Sequence, residues 1–206
     1  MKRPIDIIDD FYTKEELQAL ERELNIDRNQ LDFAPTCQPF SLRKNLSSRF
    51  QAYPCHETYE VNEKNDIYIN LFNKLKEHVK PDIKKIRTFF RKIYRDELEK
   101  SVCYTGKGMI HNDAEEFQLA GVIYLDDGYS FNAGTNLFTT SKYGEQFEHD
   151  IQVGSVFNRC IVYPADILHQ PSFDMNLKSR FIQTFFIFKD EESENKDKKY
   201  DINNCI

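Results

Sequence analysis

Two residues that can bind a metal ion, His111 and Asp113, stand two positions apart within residues 109–113. If this segment ends a β-strand, both side chains point to the same face, because side chains alternate along a strand. An imidazole and a carboxylate on one face are two thirds of the 2-His-1-carboxylate triad, which binds Fe(II) and leaves coordination positions open. The alternative is an ordinary strand end at which Asp113 accepts hydrogen bonds from the next turn. A second histidine would decide between them, and we expect it to be His169.

His169 comes 56 residues after Asp113 and follows a predicted strand. Arg180 lies 11 residues further and begins the last apolar stretch, where its side chain would share a strand face with Ile182 and Thr184. A buried charge without a partner is very costly, so an arginine among apolar residues predicts an anion beside it. The alternatives are a loop histidine, and an arginine at an exposed strand end or in a salt bridge to a protein carboxylate.

The N-terminal segments are predicted to surround the site rather than to supply it. Residues 5–9 alternate as a short strand does, and Thr13 with Glu16 forms a capping box that begins a helix ending near Asn25. The polar, proline-punctuated residues 26–65 are predicted to be loops with short strands, and we expect them to rim a pocket.

Two further helices are predicted on either side of Pro81. An apolar residue at every fourth position predicts a helix over residues 66–79, which the proline ends. The helix after it would have this apolar face: Ile83, Ile86, Phe90 and Ile93. Its other face would be basic: Lys84, Lys85, Arg87, Arg91, Lys92 and Arg95. Such a face could meet an acidic partner or nucleic acid, but a solvated helix face is the interpretation that we favour.

From about residue 101 the periodicity becomes that of β-strands. Strands are predicted at residues 102–105, 117–125, 156–163 and 180–188, and residues 151–154 lead into the third of these. The segment from Asn132 to Thr135 is predicted to be a turn. Short strands separated by turn residues, with helices only in the first half, predict an α+β chain with a jelly-roll (double-stranded β-helix) core and helices packed outside it.

We expect one domain over residues 1–188, with helices and rim loops in residues 1–100 and the jelly-roll core with the metal site in residues 101–188. The charged segment 189–206 is predicted to be a disordered tail.

The composition excludes several classes of protein. The net charge of −6 argues against general nucleic-acid binding, which needs a basic surface. The N-terminus lacks the apolar core of a signal peptide, and no apolar run is long enough to span a bilayer. The chain has an odd number of cysteines and no Cys-x-x-Cys pair: Cys37, Cys55, Cys103, Cys160 and Cys205. This pattern predicts a reduced, cytoplasmic protein rather than a disulfide scaffold, and a zinc cluster of Cys37, Cys55 and His56 would fit no common zinc module.

The order of the four candidate site residues resembles the 2-oxoglutarate and Fe(II)-dependent dioxygenase superfamily on its prolyl-4-hydroxylase-like side, and in detail a group of small bacterial and phage oxygenases. Four further motifs carry this resemblance: Ile8-Asp9-Asp10-Phe11, the block from Phe117 to Leu125, Ala133-Gly134-Thr135, and the block from Pro164 to His169. The resemblance covers about residues 5–188.

The resemblance implies a set of roles for the site residues. It implies these ligands to Fe(II): His111, Asp113 and His169. Arg180 would bind the distal carboxylate of the cosubstrate 2-oxoglutarate, with Tyr104 and Thr184 as further candidate contacts. With O₂ as the second cosubstrate, a substrate would be hydroxylated while 2-oxoglutarate is converted to succinate and CO₂. Residues 26–65 and 126–150 would select the substrate, for which small molecules, nucleotides and peptides stay open.

Two other functions remain as alternatives. One is a non-catalytic jelly-roll module in which a metal is structural or absent, and the other is a zinc hydrolase using the same three ligands. A structural metal would not need the arginine, which favours the oxygenase. Another histidine could also replace a proposed ligand: His56, His78 or His149, of which His149 is the strongest candidate.

Overall fold

The computed structural model describes residues 5–25, 34–35, 56–57, 60–96, 110–113, 115–126, 130–138, 151–174 and 176–189. These residues form two helices, α1 (Lys14–Asn25) and α2 (Asp66–His78). They also form ten strands: β1 (Asp6–Ile8), β2 (Ala34–Pro35), β3 (His56–Glu57), β4 (Ile86–Tyr94), β5 (Phe117–Tyr124), β6 (Ser130–Phe138), β7 (Ile151–Ser155), β8 (Cys160–Pro164), β9 (Leu168–Ser172) and β10 (Ser179–Phe188). Tyr104, the strand predicted at 102–105, the tail beyond residue 189 and most of the predicted rim loops lie outside the described residues.

The strands form two antiparallel sheets that pack face to face. The larger has the order β1-β8-β5-β10-β4-β3-β2, and the smaller has the order β7-β6-β9. Between them lies one apolar cluster, to which the larger sheet contributes Tyr124 and Ile182 and the smaller sheet contributes Leu137 and Val153. We call the side of the larger sheet that bears this cluster its inner face.

The two helices cover the outer face of the larger sheet. Leu20 of α1 and Leu71 of α2 pack there against Ile123 and Phe185 in a second apolar cluster. Two of the three predicted helices are confirmed, at residues 14–25 and 66–78. None of the helices in the described residues is long and apolar enough to cross a membrane.

Both helices begin at N-terminal capping residues. At the start of α1 the Thr13 amide donates to the Glu16 carboxylate at 2.6 Å, and the Glu16 amide donates to the Thr13 hydroxyl at 3.2 Å, which confirms the capping box. At the start of α2 the side chain of Asn65 accepts from the amide of Ile67 at 2.8 Å.

The helix predicted after Pro81 is wrong, because residues 86–94 form β4. This strand pairs with β10 along its whole length, from Tyr94 opposite Ser179 to Ile86 opposite Ile187. Apolar side chains are buried on both faces of β4, so its hydrophobic pattern does not alternate cleanly and matches a helical spacing by coincidence. Its β-branched and aromatic residues favour a strand, and pairing in the sheet settles the conformation.

Three further differences concern strand boundaries. The turn predicted at residues 132–135 lies inside β6, and the segment around His169 forms β9. The strand predicted from residue 156 begins at Cys160, because a turn containing Asn158 precedes it. Asn158 has φ 61°, a left-handed conformation that asparagine tolerates, and its side chain pairs with both backbone groups of Tyr12.

Gly121 of β5 is expected to be intolerant of any side chain. A Cβ atom there would lie 2.5 Å from the carbonyl oxygen of Ile161 and would overlap the ring of Phe185. We expect Gly121→Ala to lower the free energy of unfolding by about 1–3 kcal/mol through overpacking, as measured by urea titration. The control is Gly154→Ala in β7, where the nearest atoms would be 3.1 Å away and the loss should be smaller. Equal losses in the two variants would contradict the prediction.

Candidate metal centre

Backbone hydrogen bonds bring the three predicted metal ligands together. The amide of His111 donates to the carbonyl of His169 at 3.0 Å, and the amide of His169 donates back to His111 at 2.8 Å. Asp113 is held by its own amide, which donates to the carbonyl of Ala165 at 2.9 Å. One ligand atom from each of the three side chains lies within 4.8 Å of the other two. Two metal–ligand bonds of about 2.1 Å span up to about 4.2 Å, so only a small adjustment is needed for a common ion.

The orientation of the His169 ring is set by its neighbours. Its Nδ1 lies 3.0 Å from the carbonyl oxygen of Ile167. Since a carbonyl only accepts, Nδ1 carries the proton and Nε2 keeps its lone pair, as a metal ligand requires. The ring of Tyr163 packs beside it with centroids 4.9 Å apart. Nε2 is 3.8 Å from Oδ2 of Asp113, so both atoms face one point.

The charges of the site favour a cation. Burial raises the pKa of Asp113 to about 6, although His111 and Arg91 act to lower it. Burial lowers the pKa of His169 to about 4. At neutral pH, therefore, Asp113 is ionised and His169 is neutral, and the 3.8 Å contact between them is not an ion pair. Oδ2 of Asp113 is buried and has no hydrogen-bond partner in the described structure, which is a costly state that a bound cation would relieve.

Arg180 is buried on the inner face of the larger sheet. Only 3% of the residue is exposed, and one terminal nitrogen donates to the carbonyl of Ser172 at 3.3 Å. Its guanidinium lies over the rings of Tyr124 and Phe173, with centroids 5.2 and 5.9 Å away. In the part of the chain that the structure describes, Nε of Arg180 has no partner and no carboxylate pairs with the guanidinium.

Two hydroxyls beside Arg180 were not singled out from the sequence. The phenol of Tyr124 is completely buried and lies 2.9 Å from the hydroxyl of Thr135 on the facing sheet. Burial raises the pKa of Tyr124 despite the nearby Arg180, so the phenol stays protonated. Two hydroxyls that share one hydrogen bond keep one O–H to donate elsewhere. The pair therefore offers a hydrogen-bond donor to an anion next to the guanidinium. Predicting this pair from the sequence would have required the register of β5 with β10.

The other predicted cosubstrate contacts are placed differently. Thr184 lies four residues beyond Arg180 on the same face of β10, about 13 Å along the strand, and its hydroxyl donates to the carbonyl of Phe89 at 3.3 Å. Tyr104 lies outside the described residues. An open cleft borders Arg180, and its lining combines apolar residues such as Ile93 and Phe173 with the carboxylate residue Asp174.

Among the residues that the structure describes, the only cluster of three or more potential metal ligands is the triad of His111, Asp113 and His169. His78, one of the alternative ligands, lies at the end of α2 beside Glu77. The side chain of His56, the proposed cluster with Cys37 and Cys55, and His149 lie outside the description.

Comparison with known proteins shows that the fold of this chain is similar to that of a group of enzymes. Neither a family model nor a curated protein matches the sequence. Among solved structures, a Pseudomonas putida prolyl-4-hydroxylase is similar, with a TM-score of 0.56, 11% identity, and coverage of 90% of this chain and 92% of that one. A Burkholderia pseudomallei oxidoreductase of the 2OG-Fe(II) oxygenase family has a TM-score of 0.54 and 10% identity, and the match covers 89% and 85% of the two chains.

A third similar structure is a Trichoplax adhaerens prolyl hydroxylase in complex with a hypoxia inducible factor oxygen degradation domain peptide fragment. Its TM-score is 0.53 at 13% identity, with 93% of this chain and 86% of that chain covered. At such low identity the likeness concerns the fold and not the reaction. The chain thus has the fold of these prolyl hydroxylases and 2-oxoglutarate and Fe(II) oxygenases, which is the fold that the motifs of its sequence imply.

Proposed function

We propose that this protein is an Fe(II)- and 2-oxoglutarate-dependent dioxygenase that hydroxylates a small-molecule or peptidyl substrate. The observation that supports this most is the combination of a His-Asp-His cluster with a buried guanidinium whose Nε has no hydrogen-bond partner in the described structure. A metal ion would bind to the His-Asp-His cluster, and the distal carboxylate of 2-oxoglutarate would pair with the guanidinium. We also propose that the two packed sheets form a double-stranded β-helix, in a single domain over residues 1–188 of a cytoplasmic protein.

The three proposed ligands fit Fe(II) by type, and Asp113 and His169 fit it also by protonation state. His111, Asp113 and His169 would supply two neutral imidazoles and one carboxylate, which is the donor set of the facial triad. When bound, the iron supplies the activation of O₂ by which 2-oxoglutarate is converted to succinate and CO₂ and a substrate carbon is hydroxylated. The chain itself orients the ligands: Ile167 holds the ring of His169, and Ala165 holds the backbone of Asp113.

Arg180 and the hydroxyl pair would bind the cosubstrate. The planar guanidinium can donate two parallel hydrogen bonds to a carboxylate, a geometry for which lysine is a poor substitute. Tyr124 and Thr135 share one bond, and their remaining O–H can be donated to the same carboxylate. Thr184 and Tyr104 stay predictions as further contacts. The apolar residues between the sheets would keep water away from these charges, which strengthens their attraction.

The proposal is tested by anaerobic titration of the protein with Fe(II) and 2-oxoglutarate. We expect a weak metal-to-ligand charge-transfer band in the visible range that is lost in His111→Ala and His169→Ala. The matched control is His78→Ala, which removes an imidazole from α2 and should keep the band. Exposure to air should then release succinate even without a substrate. Iron binding without a band would favour the alternative, a non-catalytic metal-binding or ligand-binding module.

A further inference from the structure

The N-terminal motif from Ile8 to Phe11 contributes no residue to the proposed metal centre, yet it is bound firmly to a distant turn. We call residues 156–159, which precede β8, the Asn158 turn. The amide of Phe11 donates to the carbonyl of Asn158 at 3.0 Å. The carboxylate of Asp9 pairs with the guanidinium of Arg159, with Oδ2 2.9 Å from Nη2. The motif therefore fastens the segment before α1 to the Asn158 turn.

Asn158 is 4% exposed, and all four of its hydrogen-bonding groups are paired. Its Oδ1 accepts from the amide of Tyr12 at 2.9 Å, and its Nδ2 donates to the carbonyl of the same residue at 2.7 Å. Its own carbonyl accepts from Phe11, and its own amide donates to the carbonyl of Tyr124 at 2.8 Å. Asn158 thus joins the N-terminal segment to the end of β5.

At Tyr124 the Asn158 turn takes the place of a neighbouring strand. β8 begins at Cys160 and pairs with β5 only up to the residue before Tyr124. The next bonds come from the turn: the amide of Tyr124 donates to the carbonyl of Arg159 at 3.0 Å, and its carbonyl accepts from Asn158. On the other side Tyr124 lies opposite Ile182 of β10. Its backbone is therefore held between β10 and the turn.

The side chain of Tyr124 reaches the proposed cosubstrate site on the inner face. Its ring lies under the guanidinium of Arg180, and its phenol shares a hydrogen bond with Thr135. The phenolic oxygen is at the far end of a long side chain, so a small rotation of the backbone displaces it more than it displaces the Cα atom. Hydrogen bonds weaken steeply away from their preferred distance and angle. Donation from this phenol to a carboxylate therefore depends on how the backbone of Tyr124 is held.

We propose that Asn158 is a positioning residue for the cosubstrate site. Its side chain pairs with Tyr12 and so fixes the turn that places the phenol of Tyr124 for a carboxylate of 2-oxoglutarate. This inference rests on the proposed function, because it assigns Asn158 to the binding of 2-oxoglutarate and not to that of the metal. Asparagine suits this position because it tolerates the φ of 61° and carries an acceptor and a donor on one planar amide.

The test uses the full chain loaded with Fe(II) without oxygen, with the affinity for 2-oxoglutarate measured from the charge-transfer band. Asn158→Gly keeps the left-handed turn accessible and removes only the side-chain bonds to Tyr12. We expect it to lower the affinity for 2-oxoglutarate about 5-fold, through a weakened hydrogen bond to a charged group, and to leave the affinity for Fe(II) unchanged.

Tyr12→Phe is the matched control in the same segment. It removes the buried bond from the phenol of Tyr12 to Gln183, at 2.8 Å, but keeps the backbone groups that pair with Asn158. We expect this variant to be less stable than the wild type and to bind 2-oxoglutarate with the same affinity. If it loses as much affinity as Asn158→Gly does, a general loss of stability explains both variants and Asn158 has no positioning role.

A double-mutant cycle tests whether Asn158 acts through Tyr124. Tyr124→Phe alone should lower the affinity for 2-oxoglutarate about 10-fold, because it removes the phenolic donor. In that background Asn158→Gly should change the affinity less than about 2-fold, because the group that it positions is absent. If Asn158→Gly does not fold, Asn158→Asp takes its place with the same expectations, since aspartate tolerates the left-handed conformation but lacks the donor to Tyr12.

The outcomes separate this inference from the proposed function. No band in the wild type would refute the proposed function itself. If the wild type shows the band, an unchanged affinity in Asn158→Gly, or an equal loss in both backgrounds, would overturn the role of Asn158 and leave the oxygenase intact. An unchanged affinity in Tyr124→Phe would also overturn it, because no phenol would then need positioning. Loss of Fe(II) binding in Asn158→Gly would overturn it as well, because the effect would then extend to the metal centre.

Discussion

Asp113→Asn should abolish tight Fe(II) binding and at the same time make the metal-free protein more stable at pH 7. The first effect follows because the substitution removes the only carboxylate of the proposed triad. The second follows because Oδ2 of Asp113 is buried without a hydrogen-bond partner in the described structure, and burial raises its pKa from 3.8 to about 6. A shift of this size corresponds to about 3 kcal/mol of unfavourable free energy in the ionised state, so we expect a gain of about 1–3 kcal/mol.

Asp113 and His169 make opposite contributions to the pH dependence of stability. Between pH 3.8 and about 6 the folded protein binds more protons at Asp113 than the unfolded chain does, so this group makes stability fall as the pH rises. The stabilisation by Asp113→Asn should therefore be complete above about pH 6 and absent near pH 4. His169 acts in the opposite direction. Its pKa is lowered from 6.5 to about 4, so the unfolded chain takes up the proton first and stability falls as the pH is lowered through this range.

In the wild type the contributions of Asp113 and His169 to the pH dependence of stability oppose each other. Asp113→Asn should leave only the contribution of His169. We expect the free energy of unfolding of Asp113→Asn to fall on acidification from pH 6.5 to 4, whereas that of the wild type changes less over the same range. The measurement is urea unfolding with a chelator at pH 4, 5, 6 and 7. Asp82→Asn, which neutralises a carboxyl with a 64% exposed side chain, is the matched control and should show neither effect. A variant less stable than the wild type at pH 7 would contradict this account.

Part of the metal centre could be predicted because its signal is local. His111 and Asp113 are two residues apart, and strand alternation alone places them on one face. Nothing local marks His169, which was selected by the order of motifs in the resemblance. Its strand, β9, is not among the strands that the sequence predicts, and Pro171 interrupts its pattern. The structure places β9 at the end of the smaller sheet's strand order, a position where proline is tolerated, and its pairing with β6 depends on distant residues.

The proposed contacts of the cosubstrate depend on the register between strands, which the sequence does not display. Tyr124 is beside Arg180 because β5 pairs with β10, and this pairing joins segments more than fifty residues apart. Tyr104 was chosen instead because it precedes His111 in the sequence. The sequence favours a solvated helix face for Arg91 because both faces of β4 are apolar, and pairing with β10 places Arg91 on the inner face instead.

Arg180→Met should lower the affinity for 2-oxoglutarate at least about 30-fold and leave metal binding unchanged. Truncating one partner of a buried, hydrogen-bonded charge pair costs about 2–5 kcal/mol, which corresponds to such a factor or more. Without 2-oxoglutarate the same substitution should cost little stability or increase it. The described structure shows no carboxylate that would lose its partner, and methionine can fill the space against the rings of Tyr124 and Phe173.

The wild type and Arg180→Met can be compared by thermal unfolding, each with and without 2-oxoglutarate. At one hundred times its dissociation constant for the wild type, 2-oxoglutarate should stabilise the metal-loaded wild type by about 2.7 kcal/mol and the variant by about 0.9 kcal/mol or less. Arg180→Lys should be intermediate, because lysine keeps the charge but not the planar pair of donors. Arg95→Met removes a guanidinium that borders the same cleft and is the matched control, with 2-oxoglutarate affinity close to that of the wild type. If Arg180→Met binds 2-oxoglutarate as the wild type does, the buried guanidinium does not bind the cosubstrate, and its unpartnered Nε needs another explanation.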